Sequence, residues 1–233
     1  AGFGALLGRA TWSTFRLNRR LSRLVPHENP NVTRVLSECQ KQMGLTASLE
    51  WLETDVVQSP ALHGWFRARL LLPVGYVRET SLQELRLVFL HELAHVKRGD
   101  IALNWLVTVL QFLHWFNPVL WFAFRRYRAD RELACDELAL EYAGESEVEA
   151  YGETILRLLG ASLRPSKVPN LVGISEDYRQ LKERITRIAL FRSGSRWSAL
   201  GIALATALSA VALTDARSAE AGGGKKLPPT QMI

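Results

Sequence analysis

Ser81-Leu82-Gln83-Glu84-Leu85-Arg86-Leu87-Val88-Phe89-Leu90-His91-Glu92-Leu93-Ala94-His95-Val96-Lys97-Arg98-Gly99-Asp100 is the stretch that decides how the rest of the chain must fold. Ser81 and Glu84 have the spacing of a capping box, in which each side chain satisfies a free backbone amide of the other. Lys97 and Arg98 complement the C-terminal end of the helix dipole, and Gly99 is a natural stop. Asp100 reads as the N-cap of a following helix. Inside this helix His91 and His95 stand four apart, so they project from one face and can converge on one ion. Zinc suits such a pair, because it takes nitrogen and carboxylate ligands in tetrahedral geometry. Glu92 projects about 100° away around the helix. There it can take a proton from an attacking water and later deliver it to a leaving amine.

A third protein ligand has to come from elsewhere. The next helical stretch carries Arg131-Glu132-Leu133-Ala134-Cys135-Asp136-Glu137. Glu132 and Asp136 again stand four apart, so one could bind the ion while the other supports a ligand histidine from behind. Spacing alone does not choose Glu132 over Glu137 or Glu141, and Glu132 could equally pair with Arg128 on a solvated face. Cys135 faces another side and reads as a small buried thiol.

Between the two motifs, Ile101 to Phe124 holds 24 residues without Asp, Glu, Lys or Arg. As one straight helix this run would extend about 36 Å and cross a bilayer, leaving His91 and Glu132 on opposite sides. Asn117-Pro118 offers the way out, because the residue before proline disfavours helix and the dipeptide favours a turn. Residues 101–124 are therefore expected to form a helical hairpin that dips into the membrane and returns. Lys97 and Arg98 on one flank and Arg125, Arg126, Arg128 and Arg131 on the other fit both ends on the cytoplasmic side. Trp105, Trp115 and Trp121 suit interfacial depths, and His114 reads as a structural histidine. A soluble buried hairpin explains the turn equally well, but has more difficulty with so long an uncharged run.

The remaining segments fall around this centre. The chain has 29 Lys+Arg against 23 Asp+Glu, a net charge of +6, and its 48% hydrophobic content excludes a disordered protein. Two cysteines, Cys39 and Cys135, are too few for a disulfide scaffold and match a reducing compartment. The arginines flank apolar segments and are not interleaved with aromatics, so no direct nucleic-acid binding is expected. Residues 1–31 form a basic N-terminal segment that could be the end of an upstream membrane helix. Val32 to Gly44 reads as a helix, and two strands over Thr46–Val57 and Trp65–Leu72 suggest a small antiparallel sheet. The second strand is either an edge that pairs with extended substrate or core. His27 and His63 read as solvated. Residues 197–214 are uncharged and Ala- and Leu-rich, with Arg184, Arg187, Arg192 and Arg196 before them, and are expected to be a transmembrane helix; residues 215–233 read as a flexible tail.

Three motifs in order now carry a resemblance. His91 to Asp100, then Trp115-Phe116-Asn117-Pro118, then Glu132-Leu133-Ala134-Cys135-Asp136 resemble the core of the BlaR/MecR-type antirepressor metallopeptidases, over roughly residues 46–190. A looser similarity links them to the HtpX and CAAX-processing membrane proteases. The resemblance implies an α+β, mainly helical fold with a gluzincin-like zinc protease core in residues 32–196 and membrane-associated helices. It implies Zn2+ as cofactor, with His91, His95 and Glu132 as ligands, Glu92 as the catalytic base and Asp136 holding a ligand imidazole. It further implies a membrane-bound endopeptidase of the bacterial cytoplasmic (inner) membrane, with its active site facing the cytoplasm. The expected partners are the lipid bilayer and a protein substrate, a cytoplasmic regulator such as a DNA-binding repressor, or the enzyme itself.

In the best-known members an external sensor domain detects β-lactam antibiotics. Here neither a sensor domain nor a penicillin-binding Ser-x-x-Lys is expected after Thr214 within the 233 residues, which leaves stimulus, substrate and oligomeric state open. Two rivals stand beside this reading. One is a quality-control or processing protease of the HtpX/CAAX type. The other is a non-catalytic, metal-stabilised membrane transducer, against which the intact Glu92 argues, since a structural site needs no base.

Overall fold

A computed structural model describes residues 2–23, 29–46, 49–64, 68–162 and 178–192. In chain order these hold α1 (Gly2–Leu21), α2 (Pro30–Gln42), β1 (Glu50–Thr54), β2 (Ala61–His63), β3 (Arg69–Pro73), α3 (Tyr76–Glu79), α4 (Leu82–Arg98), α5 (Asp100–Leu113), α6 (Pro118–Ala143), a 3-10 turn (Glu145–Glu147), α7 (Val148–Ser162) and α8 (Tyr178–Ala189). The expected transmembrane helix 197–214, the tail 215–233 and His27 lie outside the described residues. The architecture is α+β and mainly helical.

The helix marked most clearly in the sequence, α4, occupies the centre of the core. Ser81 Oγ accepts the Glu84 backbone N–H at 3.2 Å, and the Ser81 N–H donates to Glu84 Oε2 at 3.1 Å, the reciprocal bonds of a capping box. Gly99 stands at φ 71°, where a Cβ would be strained, so the helix stops there and the chain swings directly into α5. Leu85, Leu87, Val88, Phe89, Leu90, Leu93 and Ala94 are all buried, so apolar neighbours cover more than one side of α4. Val32, Val35, Leu36 and Cys39 of α2 pack in this core, together with Cys135, Ala139 and Leu140 of α6 and Tyr151 and Ile155 of α7.

The sheet is mixed, which corrects the expectation of an antiparallel one. β1 runs parallel to β3, from Glu50 opposite Arg69 to Thr54 opposite Pro73. β2 runs antiparallel to β3, from Ala61 opposite Leu71 to His63 opposite Arg69, giving the order β1-β3-β2. Ala61–His63 lies between Pro60 and a positive-φ Gly64 and forms a strand of its own. That extra reversal leaves β1 and β3 pointing the same way. β3 is thus the central strand and offers no free edge to a substrate. Its Leu70-Leu71-Leu72 run is buried without alternation, as a strand covered on both faces should be. Leu70 and Leu72 join Trp51 in the main core, whereas Leu71 joins Leu52, Val57 and Leu21 of α1 in a second one. His63 is half-buried and hydrogen-bonded through Nε2 to Asn18 Oδ1 at 2.7 Å, not solvated; burial, reinforced by Arg69, lowers its pKa.

The chain turns back where Asn117-Pro118 predicts. α5 ends at Leu113, and α6 starts at Pro118 with Asn117 Oδ1 accepting the Val119 N–H at 3.0 Å. Proline at this first helical position loses only a donor that would have had no partner inside the helix. α6 then returns to pack along α4. Among the described residues, no helix is long and apolar enough to cross a membrane.

The two-faced burial of β3 can be checked by mutation. Leu71→Ala and Leu70→Ala should each cost about 2–5 kcal/mol in denaturant unfolding, the usual range for a truncated core leucine. A near-zero cost for Leu71→Ala would mean that its face of the sheet is open.

Candidate metal centre

His91 and His95 sit one turn apart on the buried length of α4, with their ring centroids 5.1 Å apart and the rings perpendicular. The Nε2 atoms of both rings face the same oxygen: each lies 3.7 Å from Glu132 Oε2 on α6. The other carboxylate oxygen, Oε1, accepts from Arg131 Nη2 at 2.8 Å, which leaves Oε2 turned toward the histidines. Glu137 and Glu141, which spacing could not separate from Glu132, are exposed. Glu92 is buried beside His91 in the same helix.

Each imidazole is held from behind by a carboxylate. His91 Nδ1 lies 3.1 Å from Asp136 Oδ1 and 2.9 Å from Tyr151 Oη, and that hydroxyl donates to Asp136 Oδ1 at 2.8 Å. Asp136 also accepts from Arg184 of α8, from Nε at 2.7 Å and from Nη2 at 2.8 Å. His95 Nδ1 lies 2.8 Å from Asp100 Oδ2, which also accepts the Cys135 thiol at 3.2 Å. Asp100 therefore corrects its reading as a helix cap. It is 3% exposed, makes no capping bond, and is the first residue of α5 after the left-handed Gly99, with its carboxylate bonded to His95. Cys135 is the buried thiol the sequence suggests, and burial together with Asp100 pushes its pKa up, so it stays protonated as a donor. The His114 ring bonds back to the Leu110 carbonyl at 3.1 Å, and His114 belongs to neither group of potential metal ligands.

The electrostatics of the centre favour a positive charge at His91, facing the ionised Glu132. Burial opposes charge on His91, but contacts with Asp136 and Glu132 outweigh it and raise the imidazole to about 10. Burial likewise opposes ionisation of Asp136, and Arg184 outweighs it, holding the carboxyl down at about 2. Glu132 is kept ionised by His91, His95 and Arg184 against its burial. Tyr151 is pushed well up by burial and then by Asp136, so its hydroxyl remains a donor.

The donors fit a metal ion. Nitrogen and oxygen ligands at about 2.1 Å in tetrahedral array stand roughly 3.4 Å from one another. The two 3.7 Å separations match this, and one ligand atom from each of His91, His95 and Glu132 falls within 4.8 Å of the others. Histidine Nδ1 bonded to carboxylate is also the arrangement that fixes a ligand ring and raises its basicity. A second group, His95, Asp100 and Cys135, has suitable donor types, but its 2.8 and 3.2 Å separations are hydrogen bonds that leave no room for an ion between them. Asp100, Tyr151 and Arg184 are thus the residues of this centre that sequence reasoning missed. For Arg184 a signal existed: with Leu181, Ile185 and Ile188 it occupies one helical stripe, and an arginine in an apolar stripe calls for a buried partner.

Residues 3–188 match the model of the BlaR1 peptidase M56 family, and the chain belongs to that family, a family of metallopeptidases. The regulatory protein BlaR1 of Bacillus licheniformis is 25% identical over 194 residues, covering 83% of this chain and 32% of the relative. The methicillin resistance mecR1 protein of Staphylococcus aureus strain Mu50 is 31% identical over 142 residues, covering 59% of this chain and 23% of the relative. The chain thus spans less than a third of the length of these relatives.

Proposed function

We propose that the chain is a zinc-dependent endopeptidase of the gluzincin kind. The observation that carries this is the convergence of His91 Nε2 and His95 Nε2 on Glu132 Oε2, with Glu92 buried beside them. His91, His95 and Glu132 would hold the ion, and Asp136 and Asp100 orient the two rings from their Nδ1 sides. Zinc held there would lower the pKa of a bound water to about 7 and polarise the scissile carbonyl. Glu92 takes a proton from the attacking water and passes it to the amine nitrogen as the peptide bond breaks.

The peptidase acts at the bacterial cytoplasmic membrane, with its centre facing the cytoplasm. Leu106, Leu113, Trp115, Phe116, Val119 and Phe122 around the α5–α6 turn are each more than half exposed, an apolar patch suited to lipid. Two helices joined by a turn at that patch fit a hairpin that dips into the bilayer, because the 14 residues of α5 span only about 21 Å. The substrate is a protein regulator, a DNA-binding repressor or the peptidase itself, a reading that takes its support from relatives named as regulatory and resistance proteins.

Two variant sets test the chemistry. Glu92→Gln removes the base and no ligand, so the purified protein should keep its zinc while proteolysis falls roughly 10²–10⁴-fold; near-normal turnover would end the mechanism. Glu132→Ala should weaken zinc binding sharply and abolish activity, whereas Glu137→Ala and Glu141→Ala should keep wild-type zinc content. If Glu137→Ala loses zinc and Glu132→Ala keeps it, the ligand assignment is wrong.

A further inference from the structure

α8 is the last described element, and it packs against α6 and α7 through a stripe that contains one charged residue. Ile188 is 3% exposed and covers Gly152 of α7, where an added Cβ would stand 3.6 Å from its Cγ2. One turn earlier on the same stripe, Arg184 is 6% exposed. Taking a guanidinium out of water is costly unless carboxylates meet it with good geometry. Here they do. Nε and Nη2 grip the two oxygens of Asp136 at 2.7 and 2.8 Å, and Nη1 lies 3.9 Å from Glu132 Oε2.

This fork touches the two acidic residues of α6 that serve the histidines. Asp136 Oδ1 is the oxygen that faces His91 Nδ1, and a carboxylate gripped at both oxygens cannot rotate away from the ring. Without Arg184, Glu132 and Asp136 would stand one helical turn apart with their shared counter-charge removed from a buried place. We propose that Arg184 is the positioning residue of the metal centre. It locks Asp136, and through Asp136 the His91 ring, and it steadies Glu132, so that α8 completes a site whose ligands come from α4 and α6. The inference rests on the metallopeptidase reading.

The test uses the full chain and compares Arg184→Met, Arg184→Lys and Arg126→Ala with the wild type. Zinc affinity is read by competition with a chelator, and ligand geometry by the visible absorption of the cobalt(II) forms. Arg184→Met should bind zinc about 10–100-fold more weakly, the usual scale for losing a group that orients a ligand, and its cobalt bands should shift. Arg184→Lys keeps the charge but not the two-pronged grip, so it should fall between Met and wild type. Arg126→Ala breaks contacts away from the centre, to Asp130 within α6 and to Glu183 of α8, and should leave both readouts unchanged. If Arg184→Met does not fold, Arg184→Lys decides alone: weaker zinc with shifted bands supports the proposal. Wild-type affinity and spectrum in both Arg184 variants, or in Arg184→Lys alone if the other does not fold, would overturn it, as would an equal loss in Arg126→Ala. Failure of the wild type to bind zinc would instead overturn the metallopeptidase reading beneath it.

Discussion

Glu132 Oε2 stands 3.7 Å from an imidazole nitrogen of both His91 and His95, and that convergence constrains the rest of the chain. The histidines share a helical face because they are four apart, but the carboxylate belongs to another helix, beyond a long uncharged run. The run therefore has to reverse. It does so at Asn117-Pro118, where the backbone already disfavours helix, and α6 comes back along α4. The buried length of α4 holds the histidines between α2, the sheet, α6 and α7, so the face that bears them is set by packing.

Charge is organised around the same point. Asp136 and Asp100 sit behind the two imidazoles, and Arg184, Arg98 and Arg131 stand near the carboxylates. Each carboxylate can remain ionised in a buried setting because a cation or a histidine faces it. The consequence is a pair of rings whose Nδ1 atoms are occupied and whose Nε2 atoms look into the same small space. That is the condition a site must meet to bind an ion without rearranging. Cys135, packed against both Asp100 and His95, contributes a thiol donor in place of a ligand.

Local signals in the sequence were legible, and long-range ones mostly were not. The capping box and the Gly99 stop bounded α4 correctly, because caps are written in adjacent residues, whereas α2 starts at Pro30 behind its Asn29 cap, ahead of the Val32 expected. The sheet was half legible: both long strands formed, but the three residues of β2 were too few to register, and with them went the direction of pairing. The strand holding Leu70-Leu71-Leu72 read as either edge or core, and only its pairing on both sides decides for core. Within the centre, the His91–His95 pair followed from helical period, whereas the choice of Glu132 came from family resemblance. Asp100 was misread because a residue after glycine at a helix start looks like a cap. Tyr151 and Arg184 approach Asp136 from α7 and α8, and a contact of that kind leaves only the faint mark of a polar residue in an apolar stripe.

The central claim concerns which atoms surround the ion, and zinc-edge X-ray absorption on the zinc-loaded full chain addresses that directly. The account predicts only nitrogen and oxygen neighbours at about 2.0–2.2 Å, with the outer scattering of two imidazole rings. A sulfur neighbour at about 2.3 Å would place the ion at Cys135 and contradict the assignment of His91, His95 and Glu132.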